Sequence, residues 1–234
     1  RHTINVGLDR MSHTFVRGFW SRADESSPII VSKASHDIDL LYWLIGSRFK
    51  VLASEGVLNR YRKENAPKGA AQRCILCGIE KECRFSAVDL YLRRDDWNSS
   101  FDIREGDSKE DSVMRELNEG RFGRCVYDCD NDVVDFQTVE MVTEQGCNVA
   151  LVIDGLTSED SRITRFVFEN GEIHADGRVI KVVSGGMEEV TDMSDVCNLS
   201  LHAGADLLIV KDFLDSISNG TQLKGTDIGT ALHS

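Results

Sequence analysis

His36 is the side chain of this sequence best suited to proton transfer. A stripe of apolar residues predicts a helix over residues 33–45, with Ser35 as its N-cap and Gly46 ending it. His36 would then lie in the first helical turn, where the positive end of the helix dipole disfavours the imidazolium form. A neutral imidazole can act as a general base near pH 7, so His36 is a candidate catalytic residue.

Asp39 follows His36 by three residues, a spacing at which two side chains are neighbours on a helix. Its carboxylate could orient the imidazole, although a cap or a local ion pair would also explain it. Asp37 is expected to face solvent. The alternative for His36 itself is a helix cap or an ordinary surface histidine.

A second set of candidates precedes this helix. Alternating apolar residues predict a long strand over residues 3–20, which places His13 and Arg17 on the same face. Imidazole, guanidinium and aromatic groups suit a polyhydroxylated ligand. Trp20 has the opposite parity and joins them only if Gly18 marks a bulge or the strand end. An exposed sheet face is an equally good interpretation.

The cysteines form a third group. Cys74, Cys77 and Cys83 are closely spaced, and Cys125 or Cys129 could complete a tetrahedral zinc site. The alternative is a loop with buried free thiols. The chain has seven cysteines, and an odd number argues against a secreted disulfide framework, which favours a reducing compartment and a cytoplasmic location.

The elements that must position these residues indicate an α+β fold. Four β-rich stretches are joined by turns that contain glycine, and they predict an open, mostly antiparallel sheet: residues 133–143, 147–156, 163–168 and 179–183. A further strand is predicted at 49–60, a long loop at 63–83, and helices at 86–93, 112–118 and 204–218, with another from Thr226. We expect the helices to pack on one face of the sheet.

Composition excludes several classes of protein. The chain has 234 residues, enough for a single large domain, and a formal net charge of −12, which argues against binding to nucleic acid or to an anionic membrane surface. No apolar run approaches the roughly 18 residues that a membrane span needs. The sequence begins within a predicted strand and stops within a predicted helix, so both ends are expected to be cut.

Several motifs resemble one enzyme family. The segment 33–46, with its His-x-x-Asp, Trp43 and terminal Gly46, resembles the signature helix of the Gfo/Idh/MocA oxidoreductases. The segments 65–83 and 123–132 resemble a Cys-rich branch of that family. Residues 202–206, leading into the penultimate helix, resemble its C-terminal helix.

The resemblance implies that residues 1–234 form one C-terminal domain for substrate binding and oligomerisation, with a Cys-rich insertion at 61–132. The full enzyme would be an NAD(P)-dependent dehydrogenase of a sugar, inositol or related polyol, in which His36 takes the hydroxyl proton as hydride leaves. NAD or NADP would be held by an absent N-terminal Rossmann domain, since the sequence contains no G-x-G-x-x-G. This chain alone should be inactive.

One departure from the family pattern concerns the residues before the histidine. Many family members have an Asp four residues before it, where this sequence has Ser32. Lys33 could supply a charged group for substrate hydroxyls or a carboxylate, unless it is simply solvated. Near the second cysteine group, Tyr127 and Asn131 are candidate contacts for hydroxyl groups. The resemblance also suggests a site-lining role for His202.

Two alternatives belong to other functional classes. Some relatives use transient NAD-dependent oxidation to cleave glycosides, so a glycosidase on the same scaffold is one alternative. The other is a non-catalytic module, because open sheets in this family pair face to face into homo-oligomers. The expected partners are therefore a small sugar or polyol and a second copy of the chain.

Overall fold

A computed structural model describes residues 1–99, 101–197 and 205–221. Within them, eight strands form a single sheet. The strands are β1 (His2–Gly7), β2 (Phe49–Val57), β3 (Phe136–Thr143), β4 (Asn148–Thr157), β5 (Ser161–Phe168), β6 (Gly171–Ala175), β7 (Val179–Ser184) and β8 (Met187–Asp192).

The sheet is open and mostly antiparallel. Its order is β2-β3-β4-β1-β5-β6-β7-β8, and β1 and β4 are the parallel pair. The other neighbouring pairs are antiparallel, and several are consecutive hairpins. The predicted α+β class with an open, mostly antiparallel sheet is therefore confirmed.

The α- and π-helical segments lie between and after the strands. They are α1 (Leu8–Arg10), which continues as the π-helix π1 (Met11–Arg17), then α2 (Ile29–Ile45), the π-helix π2 (Asp89–Arg93), α3 (Lys109–Asn118), α4 (Ser194–Cys197) and α5 (Ala205–Asn219). Ser108 and Asp111 form a capping box at the start of α3. The helix predicted from Thr226 lies outside the described residues.

The long strand predicted over residues 3–20 is wrong. The strand stops at Gly7, and the chain continues as α1 and π1. Leu8, Met11 and Phe15 are buried at spacings of three and four residues, which is a helical period. Their burial against the sheet outweighs the short alternation on which the strand prediction depended.

Gly18 ends π1 at a close approach of backbone. A Cβ atom at this position would lie 2.5 Å from the carbonyl oxygen of His13 and 2.6 Å from that of Thr14. Any larger residue would have to displace the backbone of the π-helix. The glycine therefore allows the chain to turn away directly beneath the last helical turn.

The signature helix begins earlier than predicted. It starts at Ile29 with Pro28 as N-cap, and Ser35 lies inside it. The β-branched run at its start has weak helix propensity, but Ile29 is buried, and tertiary packing overrides that preference. The predicted end is confirmed, because Gly46 adopts a left-handed conformation (φ 67°) and donates its N–H to Tyr42 O at 2.8 Å.

The main core lies between α2, π1 and one face of the sheet. Buried side chains of α2 contribute to it, together with the inward residues of the central strands: Ala34, Leu41, Ile4, Val139, Leu151 and Ile153. A second, smaller core contains only residues between 74 and 122, from π2, α3 and the neighbouring loops. The division of the chain into a domain with an insertion at 61–132 stays a prediction.

The opposite face of the sheet carries exposed apolar residues, Ile163, Val167 and Val190, beside exposed ion pairs. The apolar side chains of α5 are also exposed. Among the described residues, no helix is long and apolar enough to cross a membrane.

Candidate functional site

Asp37 organises the candidate site. Its side chain is 1% exposed, so the expectation that it faces solvent is wrong. His2 Nε2 on β1 lies 3.0 Å from Oδ1, and Arg162 on β5 binds both carboxylate oxygens, at 2.5 and 3.1 Å. Asp37 thus joins α2 to two strands that are neighbours in the sheet.

The surroundings keep the Asp37 carboxylate ionised. Burial alone would raise its pKa, but the hydrogen bonds from His2 and Arg162 and the charge of Arg162 outweigh burial, so the pKa of Asp37 is lowered. A buried negative charge is therefore fixed beneath the exposed surface of α2.

His36 lies directly above this charge. Its side chain is 63% exposed, and its Nε2 is 3.7 Å from Asp37 Oδ2. That distance is too long for a hydrogen bond but is within the range of an ion pair once the imidazole is protonated. Because α2 begins at Ile29, His36 is not in the first turn, and the dipole argument for its neutral form is wrong.

Lys33 lies one turn before Asp37 on α2 and is half-buried. Burial and the charges of Arg10 and Arg162 lower the pKa of Lys33, although Asp160 and Asp37 act in the opposite direction. Arg10 itself is paired with Asp160 (Nε to Oδ2, 2.6 Å). His36 and Lys33 are therefore brought together, within a group of cations that the sequence did not reveal.

Asp39 is half-buried on the same helix. Its proposed role in orienting His36 stays a prediction.

His13 lies in π1 and not on a strand. Its ring stacks on Phe122 at 4.6 Å between centroids, and its Nδ1 is 3.0 Å from the hydroxyl of Tyr91. Trp97 packs on it at 5.1 Å. Burial, followed by the charges of Arg17 and Arg10, lowers the pKa of His13 to about 4, so its ring is neutral at pH 7.

Arg17 is completely buried. Its guanidinium donates to the carbonyl oxygens of Arg124 (2.7 Å) and Phe85 (2.6 Å) and lies 3.5 Å from Cys74 Sγ. These contacts tie π1 to the two cysteine-bearing segments. Arg17 and His13 therefore do not share an exposed sheet face, and the position of Arg17 is that of a structural residue.

The remaining predicted contacts are dispersed. Trp20 is exposed in the turn after π1, and Tyr127 is buried edge-on against Phe85. Asn131 is 9% exposed, and its amide atoms have no hydrogen-bond partner within the described ranges. His202 lies outside the described residues. None of the contacts that the structure gives for Trp20, Tyr127 and Asn131 involves His36.

The predicted zinc site is not supported. Cys74, Cys77, Cys83 and Cys125 line one apolar cavity of about 20 Å³. Across residues 1–99, 101–197 and 205–221, however, no three Cys, His, Asp or Glu side chains are arranged to hold a metal ion. The six described cysteines are free thiols, and burial raises the pKa of Cys83, Cys125 and, to about 11, Cys129, as expected for protonated thiols.

An apolar groove of about 450 Å³ lies at the other end of α2, between Leu41, Leu44 and Ile45 and the strands β4 and β5. None of the predicted site residues lines it. The charged groups around His36 are therefore separate from this groove.

His2, Arg10, Asp160 and Arg162 were missed because their importance depends on strand order. Only the pairing of β1 with β4 and β5 brings them to α2. One signal was present in the sequence: Asp37 shares a helical stripe with Ala34 and Leu41, which are both buried. A carboxylate on a buried stripe requires partners.

Comparison with solved structures identifies the fold. One match is UDP-N-acetylglucosamine 3-dehydrogenase from Acidithiobacillus ferrooxidans, with TM-score 0.51, 12% identity and coverage of 99% of this chain and 48% of that one. Another is a dehydrogenase from Clostridium difficile, with TM-score 0.52, 9% identity and coverage of 95% and 46%. No protein-family profile and no curated protein matched the chain.

The chain thus spans about half the length of the solved structures it matches. At these identities the likeness concerns the fold alone. The chain has a fold that these two dehydrogenase structures contain within about half of their length, which agrees with the resemblance to the C-terminal domain of the Gfo/Idh/MocA oxidoreductases.

Proposed function

We propose that this chain is the substrate side of an NAD(P)-dependent oxidoreductase that acts on a hydroxyl group of a sugar, inositol or related polyol. The observation that carries the proposal is the exposed imidazole of His36 above the buried, ionised Asp37. The dehydrogenase fold supports it, because two solved structures described as dehydrogenases share that fold over nearly the whole chain.

His36 serves as the general base. Its Nε2 takes the proton of the substrate hydroxyl, which turns the neutral ring into an imidazolium. The Asp37 carboxylate, 3.7 Å away, stabilises that positive charge. His2 and Arg162 hold Asp37 in place and ionised, so they are positioning residues for the base.

Many family members have an Asp four residues before the histidine, where this chain has Ser32. Here a carboxylate on the other side of the histidine takes its place. Ser32 Oγ donates to Pro28 O at 3.2 Å, which is a bond within its own helix. Asp37, next to His36 in sequence, brings the carboxylate instead. The change from Asp to Ser is therefore compatible with a base at His36.

The described residues do not fit a nicotinamide dinucleotide. The strand β1 leads into α1 through a single Gly7, whose N–H already donates to Asp160 Oδ1 at 3.0 Å. A pyrophosphate needs a glycine-rich turn with free N–H groups at a helix N-terminus. A second domain would have to hold the cofactor, and this chain would handle the proton.

Assembly and location are part of the proposal. The exposed apolar residues of the open sheet face, among them Ile163 and Val167, support pairing of two copies of the chain through that face. The six free thiols are compatible with a reducing, cytoplasmic compartment. A non-catalytic oligomerisation module would use the same face.

The test uses the chain joined to its dinucleotide-binding domain, with NAD and NADP and a panel of sugars, inositols and glycosides. Formation of reduced nicotinamide in step with substrate consumption supports the proposal. Release of free sugar without net reduction would indicate the glycosidase alternative. No turnover of any compound would favour the non-catalytic module.

A further inference from the structure

We propose that the site selects a substrate with an anionic group, a sugar acid rather than a neutral sugar, and that Arg10, Lys33 and Arg162 form its anion subsite. This inference rests on the proposed function and names the substrate class. The three residues come from α1, α2 and β5, and the fold brings them together next to His36.

The local balance of charge is the first argument. The chain as a whole carries a net charge of −12, yet here three cations meet two carboxylates, Asp37 and Asp160. The neighbouring Asp9 forms an ion pair with Arg94, whose two terminal nitrogens donate to its carboxylate oxygens at 2.7 and 3.0 Å. The cluster therefore has an excess of positive charge in an acidic protein.

Both carboxylates are already well bonded. Asp160 accepts from Gly7 N (3.0 Å) and from Arg10 Nε (2.6 Å). Asp37 accepts from His2 and, at two positions, from Arg162. Neither carboxylate is bonded to the third cation, Lys33.

Donors remain available on all three cations. In the described part of the chain, Lys33 Nζ, both terminal nitrogens of Arg10 and Nη1 of Arg162 have no hydrogen-bond partner. Arg10 and Arg162 are each more than one-third exposed. Guanidinium and ammonium groups with free donors suit a carboxylate or a phosphate as ligand.

The repulsion among the three cations also supports a bound anion. Lys33 is half-buried between two arginines, and burial together with their charges lowers its pKa. Three cations that share only two carboxylates still repel one another, and a bound anion would remove part of that repulsion. The neighbouring cations are thus better explained by a ligand than by stability.

An aromatic surface adjoins the subsite. The Arg10 guanidinium lies 4.8 Å from the ring centre of Trp97, which is half-exposed. Trp97 and Asp95 both have positive φ (56° and 53°), a conformation that costs free energy in residues other than glycine. This strained turn holds the indole against the Arg10 guanidinium, and the cation–π contact helps to fix the position of that cation.

The test is an NMR titration of the 234-residue chain with D-glucuronate, D-glucose and inorganic phosphate. We expect glucuronate to bind at least about tenfold more tightly than glucose, since charge-assisted bonds are the stronger ones. Phosphate should compete with glucuronate but bind more weakly. Lys33→Gln should remove the preference for glucuronate, whereas Lys33→Arg, which keeps the charge, should retain it.

Lys63→Gln is the matched control, because Lys63 is an exposed lysine whose ion pair with Asp128 involves none of the cluster residues. Equal affinity for glucuronate and glucose, no binding of any probe, or an unchanged preference in Lys33→Gln would overturn the anion subsite. Phosphate that binds as tightly as glucuronate would overturn the sugar acid as ligand. Glucuronate binding without redox activity in the two-domain protein would support the subsite and count against the proposed function alone.

Discussion

His2 and Asp37 are joined by a 3.0 Å hydrogen bond between side chains that are each 1% exposed. The bond links the first strand to the middle of α2, and Arg162 on β5 completes it. A buried carboxylate held by two strands fixes the orientation of α2 on the sheet. The positions of His36 and Lys33 on α2 are fixed with it. The architecture of the sheet is thereby coupled to the candidate site.

Replacing Asp37 tests this coupling. Asp37→Asn keeps the shape but loses charge-assisted bonds to His2 and Arg162, so we expect unfolding free energy to fall by about 1–3 kcal/mol. Urea denaturation measures it. Glu140→Gln, at an exposed position on β3, is the control and should change stability little. A fully stable Asp37→Asn variant would show that the network contributes nothing.

The same residue predicts acid sensitivity. The pKa of Asp37 is lower in the folded protein than in the unfolded chain, where it is about 3.9. The stability it contributes is fully present above that unfolded value and is lost as the pH falls through the folded pKa. Denaturation midpoints between pH 6 and pH 2 should therefore fall more steeply in the wild type than in Asp37→Asn. Parallel curves would contradict the lowered pKa.

His13 should remain neutral well below pH 6. Its pKa is lowered to about 4 by burial and by the charges of Arg17 and Arg10. Because the folded pKa lies below the unfolded value, protonation of His13 destabilises the fold as the pH falls from about 6.5 toward 4. Its ring proton resonances should titrate near pH 4 in NMR spectra. A midpoint near 6.5 would mean that the aromatic packing is looser than described.

Gly18 should not tolerate a side chain. Gly18→Ala places a Cβ 2.5 Å from His13 O, and the resulting overpacking should cost about 1–3 kcal/mol. Gly78→Ala is a suitable control, since a Cβ there meets nothing within 4 Å. Thermal denaturation of the two variants compares them directly. Equal melting temperatures would show that the end of π1 yields easily.

Much of the fold could be predicted because local patterns and tertiary packing agree. The strands β3, β4, β5 and β7 have strong alternation or β-branched runs, and Gly46 ends α2 as expected. The strand β8 was missed because its residues are all exposed, so burial imposes no alternation on Met187–Asp192. The π-helix π1 was missed because its conformation depends on the burial of Met11 and Phe15 against residues that are distant in sequence.

The candidate site was only partly predictable. His36 and Lys33 could be found because both lie on one recognisable helix. Arg10, Asp160 and Arg162 join them only through the pairing of strands that are distant in sequence, which local patterns do not encode. The burial of Asp37 reverses its expected exposure for the same reason.

The central claim is that His36 is the base, and the most direct measurement is kcat/KM of His36→Gln in the two-domain protein against a substrate found in the panel. Loss of a general base should lower kcat/KM by about 10²–10⁴-fold. His174→Gln, at a partly exposed histidine on β6, should match the wild type. A His36→Gln variant with wild-type kcat/KM would contradict the account.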